Sequence, residues 1–355
     1  MRKVTLDDIQ RSAIHAEGIA KRRTRKKSNK SSSKGPLRIF SRVCIFAPTH
    51  LDLFNPENYA DFVIFLTQIR DEVEKKEKVI INFKNTESLK ACAMVVLYAH
   101  IDFLQRLTGD ENIIKITLCS NKRANRWFKD SGVWNLTRFN SNGDGEETSL
   151  HIVSALAGSS KNKNNDIEAR NKIRLILKFI KEKIYGGKIS PEEAQKLYAA
   201  VTESISNVGL HAYSSETQFE EFIELIGKRW WVLARQIEDQ LFLVIYDMGE
   251  GIPSTLVKRD FFTFLYQIFQ PETDADKIFA AVQYGETRMK SDKHGKGLHD
   301  IKTFVVDNPM GELHIFSGMG KYSFKSATGE ESKTNLKYSV GGTLIQWNIS
   351  LKAKS

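Results

Sequence analysis

No apolar run in this 355-residue chain reaches the ~18 residues needed to cross a bilayer. That argues against a membrane-spanning protein. The first residues, MRKVTLDDIQRSAIHAEGIAKRRTRKK, lack the apolar stretch of a secretory signal, so a cytoplasmic location is expected. Cysteine is scarce. Cys44, Cys92 and Cys119 lie far apart among apolar neighbours, with no CxxC pair. A disulfide framework and a zinc site are disfavoured, and three reduced core thiols are expected. Acidic residues are scarce in one place only. Residues 1–34 carry eleven Lys and Arg against three acids, a net +8, while the whole chain carries +10. The basicity therefore belongs to one arm, residues 1–36. Its stretch AKRRTRKKSNKSSSKGP has no apolar residue after Ala20 and reads as disordered, behind a short helix over 4–20. Such an arm admits a nucleic-acid or anionic-lipid partner through counterion release.

Beyond the arm the chain becomes rich in β-branched and aromatic residues. LRIFSRVCIFAP (37–48) reads as a strand region closed by Pro48. Residues 55–77 carry helical apolar spacing at Phe62, Leu66, Ile69 and Val73. KVIINF (78–83) reads as a buried strand, 86–107 as a mostly apolar helix, 113–120 as a strand and 121–136 as a short helix ending at Gly132. This alternation implies an α/β layer over 37–150. The polar stretches NSNGDGEETS (140–149) and GSSKNKNND (158–166) punctuate the chain and bracket a domain boundary.

Within the first layer, VIINFKNTESLKACAMVVL and KDSGVWNL resemble a STAS domain, the fold of anti-anti-sigma factors. Regulated members carry a phosphorylatable Ser at the helix start. Ala91 or Cys92 stands there in this chain, which leaves protein docking as the role the resemblance implies.

The second half, 168–355, holds the candidate chemistry. A helix over 167–187 stops at Gly186–Gly187. The next, over 190–213, opens with Ser190, Pro191 and Glu193, a capping-box pattern. Along it Glu203, Asn207 and His211 recur every four residues and share one face. An acid, an amide and an imidazole in a row on an otherwise amphipathic helix point to a polar-lined cleft. Residues 229–247 read as a hairpin turning at Glu238–Asp239. It runs into DMGEGIP, where Asp247 ends a strand and Gly249 and Gly251 permit close backbone approach. Then HGKGLHD offers Gly295, Lys296 and Gly297 at a helix start, a phosphate-cradling arrangement. Residues 338–351 form a strand led by Gly341, Gly342 and Thr343.

Together ESISNVGLHAY, DMGEGI, GKGL and GGT, in this order, resemble the N, G1, G2 and final boxes of the GHKL (histidine kinase-like) ATPase superfamily, with the closest look to anti-sigma serine kinases. The resemblance implies a Bergerat-type α/β sandwich, a mixed sheet covered by helices. It further implies ATP with Mg²⁺. Asn207 would bind the metal and Glu203 would act as general base or orient the nucleophile. His211 would sit near the phosphates. Asp247 would accept from the adenine amine, helped by Thr343. Gly249, Gly251 and Ile252 would shape the pocket, and Gly295, Lys296, Gly297 and Leu298 would present amides to the phosphates. A lid would span 252–294, including the aromatic DFFTFLYQIF. None of the eight histidines sits on a dimerising hairpin ahead of this domain, so a conventional sensor histidine kinase is not expected. An ATPase acting as a regulatory switch is the first expectation. A serine/threonine kinase and a non-catalytic ATP-sensing module are the alternatives. Relatives of this kind also imply a homodimer, and the STAS-like domain a protein partner.

Overall fold

The computed structural model describes residues 36–137, 150–156, 163–207, 212, 227–287 and 297–351. The basic arm lies outside them. The protein is mixed α/β, with ten α-helices among the described residues. None of these is long and apolar enough to cross a membrane. The chain divides into two units, Met1–Asp144 and Gly145–Ser355.

The first unit is built on a four-stranded sheet in the order β1 (Arg38–Ile39), β2 (Arg42–Phe46), β4 (Val79–Asn82), β6 (Ile114–Ile116). β2, β4 and β6 run parallel and β1 turns back against β2. Every residue of β4 is buried, as expected of a central parallel strand. Helix α1 (Pro56–Glu74) starts where Asn55 Oδ1 accepts the amide hydrogens of Glu57 and Asn58 at 2.9 and 3.2 Å. Helix α2 (Ala91–Thr108) begins five residues later than its apolar pattern suggests. The amides of Glu87, Ser88 and Lys90 donate to carbonyls of Thr49 and Leu51. That ties Ser88–Leu89 (β5) to His50–Leu51 (β3) as a small parallel pair instead of a first helical turn. The third helical segment breaks at Gly132, at φ +84°, into α3 (Lys122–Asp130) and α4 (Val133–Thr137). The three cysteines are free and buried.

The second unit carries a seven-stranded sheet. Its strands are β7 (Val153–Leu156), β8 (Arg229–Ile237), β9 (Gln240–Asp247), β10 (Glu312–Ser317), β11 (Gly320–Lys325), β12 (Glu330–Asn335) and β13 (Thr343–Ser350). The spatial order is β12-β11-β10-β13-β9-β8-β7. The expected mixture of strand directions is absent among the described residues: all six pairings are antiparallel. Neighbouring strands here are joined by hairpins or by excursions that return reversed, and a parallel pair would need a crossover. The β7 edge strand means this unit's structure begins ahead of residue 168. Helix α5 (Lys163–Phe179) continues into a π-helical turn, Ile180–Ile184. Helix α6 (Pro191–Asn207) is capped by Ser190, whose Oγ accepts the Glu193 amide hydrogen at 3.2 Å. The capping box is not completed, because the Glu193 carboxylate accepts from the Tyr185 hydroxyl at 3.0 Å. Further on come α7 (Ile252–Leu256), α8 (Phe262–Phe269), α9 (Asp274–Thr287) and α10 (Gly297–Val306). A core of Ile176, Ile180, Leu197, Val201 and Ile205 from α5, its π turn and α6 packs with Ile278, Val282, Ile301 and Val305 from α9 and α10. These lie against Trp230, Val232, Leu243, Ile245, Leu313, Ile315 and Trp347 of the sheet.

Candidate functional site

The site grows from one strand end. β9 delivers Asp247 to its last position, opposite Thr343 at the start of β13 and opposite Trp230 on β8. Asp247 is 5% exposed, and its Oδ1 accepts the Gly249 amide hydrogen at 2.8 Å. The Thr343 amide also donates to this carboxylate. Burial nevertheless dominates and lifts the carboxyl to about 7.

Glycines then let backbone meet backbone. A Cβ on Gly249 would lie 2.0 Å from the Ala212 carbonyl oxygen, which also accepts the Glu250 amide hydrogen at 2.7 Å. Gly251 adopts φ +85°, open to glycine and strained for other residues. Directly after it the Ile252 amide donates to Ser317 Oγ at 2.8 Å. Ser317 Oγ lies 3.0 Å from Thr343 Oγ1. A Cβ on Gly342, at φ +121°, would stand 2.0 Å from the Asp247 carbonyl oxygen. The DMGEGI segment is thereby held against the start of β13 by contacts that side chains would block.

These elements enclose a cavity of about 120 Å³. Its walls come from Ser204 of α6, Asp247, Gly251, Ile252, Thr255 and Leu256, then Arg259 and Phe261, Ala281 and Tyr284 of α9, Gly297 and Leu298 of α10, and Thr343, with Ile245 and Ile345 from the sheet. It is smaller than the roughly 300–1,000 Å³ of a pocket that swallows a whole drug-sized ligand. Its size is that of a single planar ring. Six of the residues singled out from sequence, Asp247, Gly251, Ile252, Gly297, Leu298 and Thr343, meet on this one cavity. Gly249 supports it from behind through Asp247.

Glu203 does not line the cavity; the adjacent Ser204 does. Glu203 is partly buried. Burial, and secondly the negative charge of Asp300 on α10, raise its pKa above the ordinary carboxylate value. Asn207 is the last residue of α6, and its side chain lies outside the described residues, as do His211, Gly295 and Lys296. No group of three or more His, Cys, Asp or Glu able to hold a metal occurs among the described residues. A magnesium ion bound through one amide oxygen and substrate phosphates needs no such group.

The described part of 252–294, the segment expected to form a lid, is a small packed body. Leu256, Leu265, Ala280, Ala281 and Tyr284 form its core, with Ile252, Phe261 and Leu298 against them. Phe261 stacks on Tyr284 at 4.1 Å and 11°. Ser317, Arg259 and Tyr284 were not marked by any motif. They reach the site through sheet register and helix packing, which leave no local pattern. No protein-family model matches this chain, and no curated protein matches it.

Proposed function

We propose that this protein is an ATP-binding protein of the histidine kinase-like (GHKL) type, hydrolysing ATP with Mg²⁺ as a switch in a regulatory system. The observation that carries the reading is the convergence of four sequence boxes on one ring-sized cavity with a buried carboxyl at its base. Asp247 accepts a hydrogen bond from the exocyclic amine of adenine. The apolar walls, Ile245, Ile252, Leu298 and Ile345, cover the ring faces. The triphosphate would extend towards the start of α10 and the end of α6, and Asn207 would hold the magnesium ion, which would neutralise charge on the phosphates. Glu203 takes the proton from a water molecule whose oxygen bonds to the γ-phosphorus as the bond to ADP breaks. Burial and the negative charge of Asp300 raise its pKa above the ordinary carboxylate value, which makes it a stronger base once ionised. The first unit serves as a STAS-like docking module for a protein partner.

The test uses γ-labelled ATP and Mg²⁺ with wild type and Glu203→Ala. Label released as phosphate by wild type, and lost in Glu203→Ala with ATP binding retained, supports the ATPase. Label transferred to protein identifies a kinase instead. Binding without release or transfer identifies an ATP-sensing module, and no binding overturns the reading.

A further inference from the structure

We propose that Arg259 selects the phosphorylated form of the ligand, holding the sugar–phosphate portion of an adenine nucleotide while Asp247 holds the base. This inference rests on the adenine-nucleotide reading of the cavity. Among the described residues two formally charged side chains line that cavity, Asp247 and Arg259, and Arg259 supplies the positive charge. They lie at the two ends of one stretch of chain. Asp247 closes β9; Gly251, Ile252, Thr255 and Leu256 line the cavity in turn; Arg259 comes next. One short helix, Ile252–Leu256, and a tight turn separate Arg259 from the Asp247 end of this stretch.

Arg259 stands on a fixed turn. Its amide donates to the Leu256 carbonyl at 3.1 Å, and its carbonyl accepts from Phe262 at 2.9 Å. Phe261, two residues on, is stacked on Tyr284 and belongs to the small core of α7–α9. Arg259 itself is partly exposed, at the boundary between cavity and solvent where the portion of a ligand too large for the cavity must lie. A planar guanidinium presents paired donors that match phosphate oxygens, and a neutral nucleoside offers it no counter-charge.

Calorimetric titration of the full-length protein with adenosine, AMP, ADP and a non-hydrolysable ATP analogue tests this, in wild type, Arg259→Ala and Arg259→Lys. Arg259→Ala is expected to weaken ADP and the ATP analogue roughly 10- to 100-fold while adenosine stays within about 2-fold. Arg259→Lys should recover part of the loss. Equal weakening of adenosine and nucleotides would mean that Arg259 only packs the wall, and would overturn the inference. Unchanged nucleotide affinity in Arg259→Ala would overturn it too, while leaving the nucleotide reading intact. Failure of wild type to bind any of the four would bring down both.

Discussion

Replacing Asp247 by Asn separates the cost of this carboxyl from its use. The group titrates at an ordinary 3.8 when exposed and near 7 in the folded protein, because it is buried. Between those values the folded form holds a proton that the unfolded form has released. Unfolding then releases a proton, and stability falls as pH rises through that window. The loss is about 1.36 kcal/mol per pH unit over about three units, on the order of 4 kcal/mol above pH 7 and almost nothing at pH 4. Asn keeps the shape and an acceptor oxygen for the Gly249 and Thr343 amides but carries no charge. Those two hydrogen bonds weaken when their acceptor is neutral, which offsets about 1 kcal/mol. The net gain for Asp247→Asn at pH 8 is therefore about 2–3 kcal/mol, or roughly 5–10 °C in Tm for a unit of this size. Melts of both proteins without nucleotide, from pH 4 to pH 8, measure it. The gain should appear above pH 5, grow to pH 7 and then level off. A variant less stable than wild type at pH 8, or a gain independent of pH, would refute the reasoning.

Three further outcomes rest on the same geometry. Gly249→Ala drives a methyl group into the Ala212 carbonyl at 2.0 Å, so it should lower stability by about 1–3 kcal/mol and weaken nucleotide binding; an unchanged denaturation midpoint would contradict the close packing. Asp300→Asn removes a charge that raises the pKa of Glu203, so the acid limb of the pH profile for phosphate release should move to lower pH; an unmoved or upward-shifted limb would count against the pairing. Lys302, with its side chain 8% exposed, pairs with Glu331 at 2.7 Å, and Glu331 also accepts from Gln283 Nε2 at 2.8 and 3.1 Å; Lys302→Ala should therefore cost only about 1–2 kcal/mol, and Lys302→Met with Glu331→Leu should restore most of it, both read from denaturant melts.

A helix start was legible where a local signal decides it, as at Ser190 before Pro191. The start of α2 was not, because backbone amides at 87, 88 and 90 are taken by the β3 segment and overrule an apolar helical pattern. β10–β12 left no trace for the opposite reason. In β10 every residue from Leu313 to Ser317 is buried, which erases the alternation that marks a half-exposed strand. β12, EESKTN, is almost wholly exposed and is a strand because β11 pairs with it. Its charges suit the edge of a sheet. In the site, the legible residues are Gly249, Gly251 and Gly342, where conformation or close approach demands glycine, together with Asp247, Ile252, Gly297, Leu298 and Thr343 from the same motifs. Arg259 and Tyr284 line the cavity from a turn and a helix, Ser317 bonds the Ile252 amide from a strand, and no sequence spacing joins them.

The most direct test of the account is a crystal structure with a non-hydrolysable ATP analogue and Mg²⁺. The account predicts the adenine in the cavity above Ile245 and Ile345, its exocyclic nitrogen about 2.7–3.2 Å from a carboxylate oxygen of Asp247, with the phosphates directed towards α10. A base bound elsewhere, or an analogue that leaves this cavity empty at saturating concentration, would contradict it.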